Sequence, residues 1–294
     1  MAAGDEMKNL YRDIQKDVCS YFDHERISWW GGDRVTGHIL SSQVACMNHL
    51  FAVRNERKTV LEILNRLTGN LFEDVLPVEC DRKPAYISFE TVSSTDYLNE
   101  CKAEKRPTRG TQCTSVDALM IGKGGDGAIR LIPIEWKYTE FYPNTDKSTE
   151  DRPGETKGTE GKGRERLSRY SVLIDGSKQL NSLPSYRASI YFIEPFYQLM
   201  RQTLWAEQMI AHKIDEKMQA EDFLHIHVVP GGNADLLEKQ YRYAEVQGME
   251  AAWKSCLNDP AKYIRVDPVE IVRTIEETCR YNELAAYLKT RYYK

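Results

Sequence analysis

Glu135 and Lys137 stand two residues apart in the run Ile134-Glu135-Trp136-Lys137-Tyr138. On an extended strand that spacing puts a carboxylate and an ammonium on the same face. Asp117 lies in a second apolar run, Thr114-Ser115-Val116-Asp117-Ala118-Leu119-Met120-Ile121, and Gly122-Lys123-Gly124-Gly125-Asp126-Gly127 separates the two. Apolar arms around a glycine-rich tip predict a β-hairpin. With the tip centred between Gly125 and Asp126, facing residues have numbers that sum to about 251, which sets Asp117 opposite Ile134. A shift of one residue, for which Pro133 offers a reason, brings Asp117 and Glu135 side by side. Two carboxylates and a lysine on one sheet face are equipped for metal-assisted phosphodiester hydrolysis. The carboxylates hold Mg²⁺, and the lysine is aimed at a water or a phosphate oxygen.

The elements that must position these groups are legible to different degrees. Residues 1–40 mix aromatic and charged positions and read as an N-terminal helical extension, with Trp29-Trp30-Gly31-Gly32 as a turn. Ser41 or Ser42 caps a long helix whose apolar positions Val44, Met47, Leu50, Phe51, Leu61, Leu64 and Leu67 recur at helical steps until Gly69 stops it. Ala85 to Val92 reads as a strand and the hairpin follows. Residues 143–169 carry seven basic and six acidic residues with Leu167 as the one hydrophobic, a composition that predicts a mobile insertion. A helix from about Pro195 to Met218 and a strand from Phe223 to Val229 come next. Beyond residue 235 the chain reads as a helical elaboration, with Asp267-Pro268 opening one helix and Tyr281–Tyr292 forming the last. The order predicts an α/β fold: a central mixed sheet flanked by helices, its core in 41–235, with additional N- and C-terminal helices in 1–40 and 236–294.

Composition narrows the class. The 294 residues are 41% hydrophobic and 29% charged, which excludes collagen-like and wholly disordered chains. A net charge of -4 means that any nucleic-acid contact must use a local basic surface. The seven cysteines are far apart and form no Cys-x-x-Cys pair, so reduced thiols are expected and a zinc ribbon is not. Neither a membrane span nor a secretory signal is expected, and the expected location is the cytoplasm.

Asp117, the hairpin and Glu135-x-Lys137 resemble the signature of the PD-(D/E)XK nuclease superfamily. Ser41-Ser42-Gln43, Arg109-Gly110, Thr114 to Ala118 and Ile134 to Glu140 are similar to a bacterial restriction-endonuclease-like branch of it. Val116 stands where the name-giving motif has proline. The resemblance implies a restriction-endonuclease-like core in which Asp117, Glu135 and the main-chain carbonyl of Trp136 bind Mg²⁺, with Mn²⁺ able to substitute. It implies that Lys137 serves the attacking water and the developing charge, and that a helix-borne Gln43 assists; Glu90 is either an alternative metal or water ligand or an ordinary strand residue. Arg109, Ser115, Lys162, Arg164 and Arg166 are the candidate nucleic-acid contacts. The implied activity is a metal-dependent endonuclease cutting DNA, in restriction or phage defence or in DNA processing. The alternatives are a nuclease-fold module that binds nucleic acid or protein without cutting, and an effector nuclease switched on by a regulatory partner. A homodimer is a further partner expectation.

Competing readings of other features remain open at this level. Gly122-x-Gly124-x-x-Gly127 matches a dinucleotide fingerprint, but the strand-like run after it supplies no helix N-terminus for a pyrophosphate. His225 and His227 are either ligands or a partly buried strand face. The tail, with Arg280, Tyr281, Tyr287, Lys289, Arg291, Tyr292, Tyr293 and Lys294, is either a nucleic-acid surface or an amphipathic helix packed on the domain.

Overall fold

A computed structural model describes residues 4–81, 83–101, 106–110, 113–150 and 161–293. In chain order its elements are α1 (Gln15–Glu25), α2 (Ser42–Leu50), α3 (Arg57–Thr68), β1 (Phe72–Leu76), β2 (Glu79–Asp81), β3 (Lys83–Ala85), β4 (Ser88–Thr91), β5 (Val116–Gly124) and β6 (Ile129–Trp136). They continue as α4 (Lys162–Asp175), α5 (Phe196–Ala211), β7 (Asp222–Phe223), β8 (His225–Val228), α6 (Ala234–Leu237), α7 (Met249–Lys254), β9 (Tyr263–Val266), α8 (Val269–Glu277) and α9 (Asn282–Tyr292).

The hairpin β5–β6 is the centre of a seven-stranded sheet in the order β1-β5-β6-β8-β9, with β4 also on β5 and β7 also on β6. Pairing is antiparallel among β1, β4, β5 and β6, and parallel from β6 to β7 and β8 and from β8 to β9. The observed register pairs Ala118 with Ile134 and Leu119 with Pro133, one residue from the 251 pairing. Its cause is the tip. Gly124 N–H donates to the Ala128 carbonyl at 2.9 Å across a loop of Gly125, Asp126 and Gly127. Gly127 takes the left-handed position that such a three-residue loop requires, at φ +80°. An odd loop moves every pair by one, so Asp117 comes opposite Glu135 without a bulge. Pro133 acts elsewhere: it sits where β6 passes from β7 to β8, a point at which a missing N–H leaves no ladder bond unmade.

Strand alternation divides the interior into two layers. Ala118, Met120, Ile132, Ile134 and Trp136 pack with residues of α1, α2, α3, α8 and α9. Leu119, Ile121 and Leu131 pack with α4, α5, α6 and α7, around the buried Trp205 and Trp253. Asp117 and Glu135 share the odd-numbered side and so face α5.

Several expected elements are changed. The long helix is two helices, α2 and α3, broken by a 3-10 turn at Phe51–Val53. The charged stretch Arg54 to Lys58 interrupts the apolar pattern there, and Arg54 turns inward to pair with Glu79 at 2.7 Å. The strand expected over 85–92 is reduced to β4, and the helix expected to reach Met218 ends at Ala211. The strand over 223–229 is two short strands, β7 and β8. β9 belongs to the main sheet, so residues 236–294 supply a strand of the core as well as helices. Likewise α1 is part of the interior through Val18, Tyr21 and Phe22. Asp267-Pro268 opens α8 as expected, with Asp267 Oδ1 accepting from Val269 N–H at 2.9 Å.

Of the segment expected as a mobile insertion, residues 143–150 and 161–169 are described; residues 151–160, which include Arg152 and Lys157, lie outside them. Asp146 accepts from Ser148 N–H and Oγ at 2.8 and 2.6 Å and closes a 3-10 turn over Lys147–Thr149, while α4 begins at Lys162. Polar capping and the buried Tyr170 and Ile174 order what the scarcity of apolar residues alone would not. Gly163 is where the two pieces meet, since a Cβ there would lie 2.4 Å from the Ser148 carbonyl oxygen. Gly163→Ala is expected to cost about 1–3 kcal/mol by overpacking, read as a lower urea midpoint. An unchanged midpoint would mean that α4 does not hold this contact.

Candidate active site

Six side chains from four elements converge where β4, β5 and β6 end. Asp117 Oδ2 accepts from the Trp136 N–H at 2.6 Å, which ties its carboxylate to the facing strand. Lys137 Nζ lies 2.5 Å from Glu135 Oε1 and donates to Gln198 Oε1 of α5 at 2.6 Å. Glu135 Oε2 accepts a short bond from Gln202 Nε2, one turn further along α5. Glu90 Oε1 accepts from Gln43 Nε2 at 2.8 Å and its Oε2 from Ser115 Oγ at 2.9 Å. Gln43, from the first turn of α2, also takes the Trp30 N–H on its Oε1 at 3.0 Å. Asp117, Glu135, Lys137, Gln43, Glu90 and Ser115 are therefore brought together, with Glu90 an integral member rather than an ordinary strand residue.

Glu90 reaches this position at φ +48°, a left-handed conformation inside a strand that costs on the order of 1 kcal/mol or more. The two hydrogen bonds to its carboxylate hold it there. On either side of the cluster a cavity opens. A larger one of about 560 Å³ is lined by Gln43, Glu90, Asp117, Lys137 and Tyr142, and a smaller one of about 190 Å³ by Ser115, Asp117, Glu135, Lys137 and Arg201.

Burial first, then the charges of Glu135 and Glu90, pushes the Asp117 carboxyl well above its usual range, with Lys137 opposing. Burial also raises Glu90, against its hydrogen bonds to Gln43 and Ser115. Burial works to discharge Lys137, but Glu135, Tyr142 and Asp117 outweigh it and hold the ammonium well above its usual range. Beneath the cluster, burial and the same three carboxylates raise the Cys46 thiol. Repelling buried oxygens relieved by one lysine are a donor set suited to a hard divalent cation. Among the described residues no three His, Cys, Asp or Glu side chains form a ready metal-holding group. Both oxygens of Glu135 are engaged by Lys137 and Gln202, so cation binding requires that at least one be released.

Other expected site residues fall elsewhere. Arg109 is not free for a phosphate: its guanidinium donates to Glu25 Oε2 at 2.5 Å, Glu79 Oε1 at 2.7 Å, the Tyr21 hydroxyl at 3.0 Å and the Phe89 carbonyl at 2.7 Å. Arg166 is likewise engaged, by Glu150 Oε2 at 2.8 Å and the Lys147 carbonyl at 2.9 Å. Lys162 and Arg164 are exposed on the first turn of α4. The tail packs on the domain, since the Tyr292 hydroxyl accepts from Asn48 and the Tyr293 hydroxyl bonds His49, both at 2.8 Å. Gln198 and Gln202 were missed; their signal is a pair of amides four residues apart on the helix that must cover the hairpin.

His225 and His227 are interior groups, bonded to Gln202 Oε1 and the Tyr263 hydroxyl at 2.8 Å each. Burial pushes His225 down to about 3, His49 to about 4, and His227 well below the usual range. Unfolded histidines titrate near about pH 6.5, so below that pH the unfolded chain binds protons that these sites refuse. Their contribution is whole above about pH 6.5 and declines by about 1.4 kcal/mol per pH unit per histidine as pH falls toward 4. Asp117 and Glu90, with raised values, act oppositely: they favour the fold at low pH, and that effect is lost as pH rises through their folded values. Three histidines outweigh two carboxylates, so the urea midpoint is expected to fall from pH 6.5 to 5. A rise over that interval would contradict the neutral, buried state.

Sheet order, flanking helices and a carboxylate–lysine site at the hairpin define a restriction-endonuclease-like domain. The chain matches the family model described as "Restriction Endonuclease associating with ARP" over residues 6–293, and it belongs to that family. The match runs through the regions expected as N- and C-terminal additions. Neither the comparison with curated proteins nor that with solved structures returns a match.

Proposed function

We propose that this chain is a divalent-metal-dependent endodeoxyribonuclease of the PD-(D/E)XK type. The observation that carries the reading is Asp117 opposite Glu135, with Lys137 ion-paired to Glu135, in a buried cluster between two cavities. Asp117 and Glu135 would hold Mg²⁺ or Mn²⁺, with Glu90 and the Trp136 carbonyl as further oxygens. The ion, when bound, supplies charge neutralisation at the phosphate and a more acidic water. Lys137 keeps its proton and places positive charge where the phosphate oxygens gain negative charge, while Gln198 orients its ammonium. Gln43 and Ser115 fix Glu90; Gln202 fixes Glu135.

Supercoiled, linear and single-stranded DNA, with RNA alongside, test the reading. Cleavage is expected with Mg²⁺ or Mn²⁺, stopped by EDTA and by Asp117→Asn. Cutting that survives Asp117→Asn would remove the assignment. Because Lys137 and Gln202 engage both Glu135 oxygens, an arriving ion would displace one of them. The family description names an association with ARP, which supports a regulatory partner as the second reading. The proposed place of action is the cytoplasm, a reading supported by seven widely spaced free thiols.

A further inference from the structure

Trp29 and Trp30 are neighbours with opposite surroundings. Trp29 is 6% exposed and stacks on Phe22 with 3.9 Å between ring centroids, whereas Trp30 is 64% exposed. A bridge from Trp29 to Gly32 closes the turn, and around Gly31 and Gly32 nothing lies within 4 Å of where a Cβ would stand. The chain therefore anchors one indole and displays the next. The other tryptophans, Trp136, Trp205 and Trp253, are each no more than 1% exposed, so an outward indole is an exception in this molecule.

Its place is what gives the exception meaning. Trp30 lines the larger cavity together with His38, Leu40, Gln43, Glu90 and Asp117. The Trp30 N–H is held by Gln43, and Gln43 holds Glu90, so two hydrogen bonds of 3.0 and 2.8 Å join the indole's own backbone to the carboxylate cluster. The His38 ring lies 5.9 Å away, tilted by 57°, and Leu40 is 42% exposed beside it. A nucleotide couples an anionic phosphate to a flat aromatic base. The cavity offers the matching pair in its lining: carboxylates suited to a cation, and an exposed indole whose backbone is held by Gln43.

We infer that Trp30 is a stacking platform for a nucleobase next to the scissile phosphate of DNA. A base inside a duplex has both faces covered by its neighbours, so the indole selects DNA with an unpaired base: a single strand, an overhang or an extruded nucleotide. This inference rests on the nuclease reading of the adjoining site.

Binding is measured in an Asp117→Asn background, by fluorescence anisotropy of a labelled single strand and of the matching duplex. Adding Trp30→Ala is expected to weaken single-strand binding about five- to 150-fold, Trp30→Phe much less, and the duplex is expected to bind more weakly than the single strand. Because Trp30 is the exposed tryptophan, bound DNA is also expected to shield the intrinsic emission from acrylamide. Equal binding by the Trp30→Ala protein, or emission that DNA does not shield, overturns the inference and leaves the nuclease reading standing. DNA cleavage persisting in the Asp117→Asn background, or no binding of DNA at all, overturns both.

Discussion

On the proposed nuclease reading, replacing Lys137 by methionine is expected to lower the single-turnover rate of DNA cleavage by about a thousandfold, the size seen when a charge-stabilising or proton-transfer group is removed from a reaction centre. The side chain is buried, its Nζ is fixed by Glu135 Oε1 at 2.5 Å and Gln198 Oε1 at 2.6 Å, and its ammonium is held charged by its carboxylate neighbours. A group that keeps its proton at rest contributes through position and charge, which methionine of similar length does not supply. Lys137→Arg is expected to lose nearly as much, because a planar guanidinium does not fit a site shaped for a point charge. Binding of DNA changes little by comparison, so the loss falls on the rate constant. A rate within tenfold of the unaltered protein, with circular dichroism unchanged, would place the chemistry elsewhere.

Glu100→Ala is expected to destabilise the fold by about 3–5 kcal/mol, a large part of the roughly 5–15 kcal/mol that holds a domain together. Glu100 Oε1 accepts from Arg201 Nε at 2.8 Å, the Tyr170 hydroxyl at 2.6 Å and Thr114 Oγ1 at 2.7 Å, and its other oxygen takes the Thr114 N–H. Burial alone would raise this carboxyl; Arg201, Tyr170 and Thr114 together hold it below its usual range. Arg201 is half-buried at the wall of the smaller cavity and Glu100 helps to hold it charged, so alanine would leave its guanidinium without that counter-charge. Glu100→Gln keeps an acceptor and loses less. Urea unfolding gives the difference, and a change under 1 kcal/mol would show that water or another carboxylate replaces Glu100. Because Thr114 precedes Ser115 and β5, the same network sets where the active strand begins.

The hairpin, Asp117, Glu135 and Lys137 were legible because alternation and a glycine-rich tip are local signals. The register was not, since it depended on whether the loop closed over two residues or three, and Gly127 decided for three. Glu90 enters the cluster through a left-handed backbone that no propensity indicates. Gln202 was readable in principle: it interrupts the apolar face of α5 beside Leu199 and Thr203, and a polar residue at such a place needs a partner. The partners of Arg109 were not legible, as Tyr21, Glu25 and Glu79 are distant in sequence and only the fold brings them to it. The 3-10 turn and the start of α4 within the charged segment were not legible, because composition counts apolar residues and not the cap and buried tyrosine found there. β9, a strand of four residues, is too short for its alternation to stand out.

Metal-dependent cleavage requires that the carboxylate cluster take a divalent ion. Titration calorimetry with Mn²⁺, repeated in buffers of different ionisation enthalpy, measures this directly. Saturable binding is expected, accompanied by proton release, because burial and the neighbouring carboxylates push the Asp117 carboxyl up and a bound ion would favour its charged form. Both signals are expected to disappear in Asp117→Asn. Absence of Mn²⁺ binding, or binding that Asp117→Asn leaves unchanged, would contradict the metal site and with it the nuclease.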